Sequence, residues 1–428
     1  MADQRALSQL LGLGSSDVSG ILERALEGDD PTVDEIARLF GAQGADHQLL
    51  VATADELRRQ QNGDVVTYVV NRNINFTNVC IKRCGFCAFS RDYRGEEGYF
   101  LPMHEVVRRA REAVQYGATE ICVQAGLAPK LPGDYYIRLT RAIKSALPDL
   151  HLHAFSPEEV LYGSIRSRRP LRDYLEELKA AGVGSLPGTS AEILVQSVRD
   201  RISAGRITAA QWEEVIRTAH EVGIRTTATI MFGHVETDRE RALHLDLLRR
   251  IQLDDGGFTE FVPLSFVHSE APMWAKESVD DLRPGPGGLD VIRMHAVSRI
   301  ALGRQIPNIQ ASWVKEGLRL GQILLAAGAN DLGGTLINES ISTSAGAANG
   351  QLVRPSQLRA MIREAGRTPA ERTTLYGMRR VYSADAAGDE EGPLDLMPAE
   401  EILRFGSYQE LTASSAFRFP PGTTASSM

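Results

Sequence analysis

The chain has 428 residues, of which 43% are hydrophobic and 24% are charged, a composition that allows a sizeable core and excludes wholesale disorder. It carries 47 Lys and Arg against 55 Asp and Glu, a net charge of −8, so it lacks the broad basic field of a general nucleic-acid-binding protein. We find no apolar run of the roughly 18 residues that a membrane span needs, and no signal peptide at the amino terminus. We therefore expect a cytoplasmic protein without a nucleic-acid or membrane partner.

The first 63 residues predict an amino-terminal helical extension. Thr32 and Glu35 have the spacing of a capping box, and an apolar stretch with helical periodicity follows at 36–40. A second helical pattern covers 49–59 and ends near the Asn62-Gly63 pair.

Residues 64–336 alternate between short strand patterns and helical patterns, which predicts parallel βαβ units. The strand patterns are 65–70, 120–124, 151–155, 183–186, 226–232, 259–267 and 306–313, and the segment 328–334 closes a last helix-to-turn unit. About eight units of this length match the size of a (β/α) TIM-type barrel, and we assign the chain to the α/β class. An open, doubly wound sheet is the alternative, and the absence of a G-x-G-x-x-G motif after the first strand weakens it.

The carboxyl-terminal part divides into two segments. We expect residues 337–413 to form a helical and irregular extension of the barrel. The segment 414–428 is rich in Ser, Thr and Pro, and this composition predicts a disordered tail.

Three of the four cysteines, Cys80, Cys84 and Cys87, form a C-x3-C-x2-C motif directly after the first strand. Four cysteines are too few for a disulfide scaffold of this size, and thiolates are soft ligands that suit iron–sulfur clusters and zinc. Three thiolates on a four-iron cluster leave one iron open to chelate a small molecule. A closed zinc site with a histidine as fourth ligand is the alternative, although no second pair of ligands has the matching spacing.

The cysteine motif, with the aromatic Phe86 before its last cysteine, resembles the signature of the radical S-adenosylmethionine (SAM) superfamily. The resemblance implies one 4Fe–4S cluster on Cys80, Cys84 and Cys87, and SAM bound at the open iron. In that superfamily the cluster reduces SAM and a 5′-deoxyadenosyl radical takes a hydrogen atom from the substrate.

Six further blocks resemble the CofH-type subunit family of FO synthase, which acts in deazaflavin coenzyme biosynthesis. They cover residues 71–80, 185–194, 226–236, 258–268, 311–315 and 328–335. The resemblance implies a transferase that joins the 4-hydroxybenzyl group of L-tyrosine to 5-amino-6-(D-ribitylamino)uracil and releases 2-iminoacetate, methionine and 5′-deoxyadenosine. It also implies a second radical SAM subunit as partner and an external electron donor.

Two alternatives stay open. Several blocks are shared with the menaquinone-pathway enzymes aminofutalosine synthase and dehypoxanthine futalosine cyclase, which would change the substrate. A zinc-stabilised binding protein using the same cysteines would have no radical chemistry.

Five residues outside the motif are candidates for binding SAM. Gln124 and Gly126 lie in the turn after the second strand, where a glycine permits close approach of a ligand to the backbone. Ser156 ends the third strand. Glu192 could accept the SAM ribose hydroxyls, or could be an ordinary first-turn glutamate. Arg199, two helical turns further on, could pair with the SAM carboxylate or form a surface ion pair.

Glu260 and His268 are the leading substrate-side pair, and we propose them as catalytic residues. They lie an even number of positions apart, so on one strand they would face the same way, if Pro263 does not interrupt the strand. Other polar residues near strand ends could supply hydrogen bonds to the substrates; they are Thr227, Thr229, His234, Glu236, Gln310, Ser312, Asn330 and Asp331.

Overall fold

The computed structural model describes residues 10–95, 97–383, 385–386, 389–398, 400–401, 408–420 and 425. Within these ranges, none of the helices combines the length and apolar character needed to cross a membrane.

The strands and helices alternate through the central part of the chain. The strands are β1 Val65–Val69, β2 Asn71–Ile74, β3 Glu120–Val123, β4 His151–Ala154, β5 Ser185–Leu186, β6 Arg225–Phe232, β7 Phe258–Ser265, β8 Asp331–Gly334, β9 Thr368–Arg372 and β10 Met378–Val381. The helices are α1 Ser16–Glu27, α2 Val33–Phe40, α3 Gly44–Asn62, α4 Met103–Gln115, α5 Tyr135–Ala146, α6 Pro157–Ser167, α7 Leu171–Ala181, α8 Gln196–Ile202, α9 Ala209–Glu221, α10 Asp238–Asp255, α11 Pro272–Ala275, α12 Gly288–Leu302, α13 Trp313–Leu324, α14 Ile341–Ser344, α15 Pro355–Glu364 and α16 Tyr408–Ala413.

The parallel strands close into a barrel. One sheet has the order β2-β3-β4-β5-β6-β7, and a second has the order β10-β9-β1-β8. Isolated parallel bridges join the two sheets, between Phe261 and Ile309, between Gln310 and Asp331, and between Arg72 and Ile337. Counting β1 and β2 as one strand and 309–310 as the seventh, eight strands surround the axis, which confirms the predicted barrel and excludes the open sheet.

Capping boxes fix where two of the helices begin. Thr32 and Glu35 form the predicted one on α2, and Thr208 and Gln211 form another on α9. These caps satisfy backbone N–H groups that the first helical turn leaves without partners. Helices therefore begin where the chain must turn back along the outside of the barrel.

The amino-terminal extension covers one side of the barrel. Helix α2 packs on α10 and α12, and α3 packs on α12. Ile36, Leu39 and Leu50 on these helices are fully buried, so the extension shares the hydrophobic core of the barrel.

The carboxyl-terminal extension returns to both ends of the barrel. Strand β9 runs parallel to β1, and β10 runs antiparallel to β9. The segment 408–420, which we call the strap, packs beside the cysteine loop. Tyr408 donates a hydrogen bond to the carbonyl of Phe89 (3.1 Å), and the Phe419 N–H donates to the carbonyl of Gly98 (2.7 Å).

In the predicted disordered tail, the described residues 414–420 and 425 have defined structure. Ser415–Phe417 forms a 3-10 helix, Arg418 bridges to Tyr99, and Phe419 is buried. The N–H of Ala425 donates to the carbonyl of Pro129. Composition suggested disorder, but Phe419 finds an apolar site on the barrel that composition does not encode. Residues 421–424 and 426–428 lie outside the described residues.

Candidate active site

The three motif cysteines line a cavity of about 250 Å³ at the carboxyl mouth of the barrel. All three are free; Cys84 is buried and Cys80 and Cys87 are half-buried. Burial raises the pKa of the Cys84 thiol to about 12 and also raises the pKa of Cys80. As thiolates these side chains therefore need a cation as counter-charge, which is the chemistry of a metal-binding donor set.

The spacing of the donors separates a cluster from a single ion. Among the described residues, no three His, Cys, Asp or Glu side chains are arranged to hold one metal ion. A closed zinc site needs four ligands around one ion, whereas the thiolates of an iron–sulfur cluster bind different irons. The three cysteines therefore fit the predicted cluster better than the zinc alternative.

The backbone of the cysteine loop is fixed by neighbouring loops. The N–H of Ile81 donates to the carbonyl of Leu127 (2.8 Å), and the N–H of Gly85 donates to the carbonyl of Ile202 (2.8 Å). The N–H of Met273 in turn donates to the carbonyl of Gly85 (2.7 Å). The cysteines are thus held by the loop after β3, by the end of α8 and by α11.

Arg206 is a cavity residue that sequence reasoning missed. Its guanidinium donates to Glu192 (3.0 Å), Glu158 (3.2 Å) and the hydroxyl of Ser190 (2.6 Å), and lies 3.6 Å from Sγ of Cys84. This arginine couples the cysteine loop to the acidic residues beside it. No motif surrounds it in the sequence, and only closure of the barrel brings the loop between α8 and α9 to this position.

Four of the predicted cofactor-binding residues line the cavity. Phe86, Gln124, Gly126 and Glu192 all line the cavity. The hydroxyl of Thr189 donates to Oε1 of Gln124 (2.6 Å), which fixes that amide.

Gly126 is required by close packing. A Cβ at this position would lie 2.4 Å from the carbonyl oxygen of Val79, so the turn after β3 can touch the cysteine loop only through a glycine.

Ser156 lines the cavity but also caps α6. Its hydroxyl donates to Glu159 (2.6 Å), and the N–H of Glu159 returns a bond to it (3.3 Å). Glu159 also accepts a hydrogen bond from the N–H of Ala125 (3.0 Å), and burial raises its pKa to about 7. The Ser156–Glu159 pair therefore shapes the turn that contains Gln124 and Gly126.

Arg199 is not among the residues that line the cavity, contrary to its prediction as a SAM ligand. It is 1% exposed and donates to the carbonyls of Ser190 (3.0 Å) and Ile207 (2.6 Å) and to Glu192 (3.2 Å). These bonds occupy the guanidinium. Glu192 precedes α8, which begins at Gln196, so the predicted spacing of two helical turns is wrong; Arg199 meets Glu192 as the residue that holds the Glu192 loop.

The structure separates Glu260 and His268, contrary to their prediction as a pair. Strand β7 continues through Pro263 but ends at Ser265, so His268 lies beyond it and packs its ring against Trp274 at 4.6 Å. Neither Glu260 nor His268 is among the cavity-lining residues.

Glu260 lies near the start of β7, at the base of the barrel. Its carboxyl group accepts hydrogen bonds from Tyr376 and from Gln310 (3.3 Å), and it forms an ion pair with Arg372 (3.5 Å). Arg372 also binds Asp331, with 3.0 Å between Nη2 and Oδ1. We call Glu260, Gln310, Asp331, Arg372 and Tyr376 the basal cluster. Burial raises the pKa of Glu260 to about 7.

Of the other substrate-side candidates, Thr229 lines the cavity. Its hydroxyl donates to the carbonyl of Gly188, and Thr227 accepts from the N–H of Gly188, so the two threonines share one face as predicted. His234 and Glu236 bond to neighbouring backbone groups, and Glu236 pairs with Arg241. The remaining candidates are held within the barrel wall or base; they are Gln310, Ser312, Asn330 and Asp331.

Lys315 is a second cavity residue without a predicted role. Lys315 lies in the first turn of α13, which follows the seventh strand, and it lines the cavity together with Ser265 and Phe266. Its ammonium makes no hydrogen bond or ion pair with any residue that the structure describes. Burial lowers its pKa, and the nearby carboxyl groups of Glu339 and Glu316 act in the opposite direction.

Comparison with known proteins shows which family this chain belongs to. Residues 74–248 match the radical SAM superfamily, and residues 255–384 match the CofH/MqnC C-terminal region. The chain is 50% identical over 351 residues to the 5-amino-6-(D-ribitylamino)uracil–L-tyrosine 4-hydroxyphenyl transferase of Methanopyrus kandleri, covering 82% of this chain and 94% of that protein. It is 45% identical to FO synthase of Streptomyces coelicolor, covering 87% of this chain and 43% of that protein. Methylornithine synthase (PylB) has the same fold, with a TM-score of 0.63 at 17% identity over 82% of this chain and 97% of that one.

Proposed function

Because the chain belongs to the radical SAM superfamily and carries a CofH/MqnC C-terminal region, we propose that it transfers the 4-hydroxybenzyl group of L-tyrosine to 5-amino-6-(D-ribitylamino)uracil. The observation that carries this proposal is a single cavity lined by Cys80, Cys84 and Cys87 together with Gln124, Gly126 and Glu192. The named relative of Methanopyrus kandleri supports the choice of substrates.

The cysteines would hold a 4Fe–4S cluster, and their soft, closely grouped thiols fit that group. When bound, the cluster supplies the electron that divides SAM into methionine and a 5′-deoxyadenosyl radical. SAM would be held beside it by the cavity-lining residues that follow β3, β4 and β5, namely Gln124, Gly126, Ser156 and Glu192.

The chain's own residues have three tasks. Glu192, held by Arg199 and Arg206 through its two oxygens, keeps a carboxylate acceptor in the cavity for the ribose hydroxyls. The turn at Gly126, fixed by Glu159 through Ala125, presents backbone groups to the SAM amino group.

The third task is exclusion of water. Apolar side chains line the wall formed by the end of β7 and by α14; they are Leu264, Phe266, Val267, Ile341 and Ala345. A carbon radical is protected where no water or exchangeable donor reaches it, and the same surface suits the phenol ring of tyrosine.

We include three further expectations in the proposal. A second radical SAM centre closes the deazaflavin ring, as the similarity to part of FO synthase suggests. An external donor supplies the electron. The free cysteines suit the reducing cytoplasm.

The test is anaerobic. The cluster is reconstituted, reductant, SAM, tyrosine and 5-amino-6-(D-ribitylamino)uracil are added, and 5′-deoxyadenosine and the benzylated adduct are followed by mass spectrometry. Adduct that requires both co-substrates is the expected result. Deoxyadenosine without adduct, or adduct formation on a futalosine-type nucleoside, would replace the substrates, and a protein that takes up zinc and no iron would refute the radical chemistry.

A further inference from the structure

The cavity contains three cationic side chains, and two of them already have acidic partners. Lys82 pairs with Glu158 at 3.2 Å, and Arg206 pairs with Glu158 and Glu192. Lys315 is the third, and its ammonium has no hydrogen bond or ion pair to the described residues. A half-buried ammonium without a partner is costly, so its retention at a cavity surface indicates an anionic ligand.

The carboxyl groups nearest Lys315 are occupied elsewhere. Glu316 accepts the hydroxyl of Ser265, and Glu339 accepts the N–H of Ser342 (2.9 Å). These two carboxyl groups and the Cys87 thiol act to raise the pKa of Lys315 and so favour its charged form, but none of them forms a hydrogen bond or ion pair with its ammonium among the described residues. The charge of Lys315 is available to a molecule in the cavity.

The barrel topology separates Lys315 from the candidate SAM-binding residues. Lys315 follows the seventh strand, whereas Ser156 follows β4, the third strand of the ring, so the two lie on opposite walls of an eight-stranded barrel. The candidate SAM residues Gln124, Ser156 and Glu192 follow β3, β4 and β5. An anion at Lys315 is therefore separate from the SAM wall.

The surroundings of Lys315 match an aromatic amino acid. Phe266, Ile341 and Ala345 form the apolar surface beside it. A carboxylate on the ammonium and a phenol ring on this surface would satisfy both halves of a tyrosine molecule.

On the basis of the proposed function, we propose that Lys315 binds the carboxylate of the tyrosine substrate and is the residue that makes an α-carboxylate a requirement. The carboxylate stays on the two-carbon imine fragment when the Cα–Cβ bond breaks. Lys315 thus holds that fragment while the 4-hydroxybenzyl group moves to the uracil.

The experiment measures equilibrium binding to the cluster-loaded protein with SAM present and no reductant, so that no turnover occurs. The probes are L-tyrosine and tyramine, which lacks only the carboxylate. Lys315→Met should raise the Kd for tyrosine about 10- to 100-fold, to the value for tyramine, and leave the Kd values for tyramine and SAM unchanged. Lys315→Arg should retain a preference for tyrosine over tyramine.

Lys276→Met is the matched control, because Lys276 is exposed and does not line the cavity; it should bind tyrosine like the wild type. Unchanged tyrosine affinity in Lys315→Met, or a weakened SAM affinity in its place, would overturn the inference. Iron content and Tm show whether Lys315→Met is misfolded. If it is, Lys315→Arg becomes the test, and loss of its preference for tyrosine over tyramine would contradict the inference. If the wild type makes adduct while Lys315→Met keeps its tyrosine affinity, only this inference fails; if the wild type binds no tyrosine, the proposed function fails with it.

Discussion

At the base of the barrel, Arg372 binds both Glu260 and Asp331, whereas at the mouth Lys315 lines the cavity without a hydrogen bond or ion pair to any described residue. Both sets of charges are removed from bulk water. Those at the base are neutralised by the chain itself, which closes the end of the barrel. At the mouth, Lys82 and Arg206 have acidic partners but Lys315 has none among the described residues, so a ligand of opposite charge can bind there. Partners inside the chain, more than burial or a shifted pKa, therefore distinguish structural from ligand-binding charges in this protein.

Cys84→Ala should have the largest effect at the mouth. Loss of one of three thiolates should abolish cluster retention and SAM cleavage, measured by iron content and by 5′-deoxyadenosine. Cys122→Ala is the control, since Cys122 lies in β3 outside the motif, and it should keep its iron. An active Cys84→Ala variant would contradict the site.

Arg372→Met should have the largest effect at the base. It leaves Asp331 and Glu260 buried without their cation, so the free energy of unfolding should fall by about 3–5 kcal/mol, measured by urea denaturation. The KM for SAM of the folded fraction should not change. A variant with normal stability and a raised KM would break the distinction between the two ends.

Arg206→Lys should have a moderate effect at the mouth. Lysine keeps the charge but cannot reach Glu158, Glu192 and Ser190 together as the planar guanidinium does. We expect SAM cleavage to slow about 10-fold, while the free energy of unfolding falls by less than in Arg372→Met, because lysine keeps a cation beside the buried carboxylates. A large loss of stability with an unchanged rate of SAM cleavage would instead make Arg206 a structural charge.

Glu260→Gln should have the smallest effect and tests the base by pH. Burial raises the pKa of Glu260 to about 7, so the folded state holds the proton more tightly than the unfolded state does. The stabilisation is present at low pH and is lost as the pH rises through about 7. Between about pH 5 and pH 8 the wild type should lose stability and the glutamine variant should lose less. Activity should stay within about 2-fold, and a much larger loss would restore Glu260 as a catalytic residue.

The sequence predicted the features that depend on local pattern. The cap at Thr32 and the cysteine motif need only neighbouring residues, and the strand alternation was sufficient for the barrel. Arg206 and Lys315 escaped prediction because their places in the cavity depend on barrel closure between residues far apart in the chain.

The misplacement of Glu260 has a simpler cause. Strand parity gives the face of a strand but not the height along it, and Glu260 is the third residue of β7. Sites of parallel barrels lie at the carboxyl ends of strands. That rule, applied to the strand boundaries, would have assigned Glu260 to the base.

The strap sets the order of assembly. Tyr408 contacts Asn78, 330 residues earlier in the chain, and the carbonyl of Phe89, 319 residues earlier. A ribosome releases the cysteine loop long before it makes the strap that packs beside it, and domains fold as their parts emerge. The strap can therefore dock only after the loop and the barrel strands that it contacts have been made.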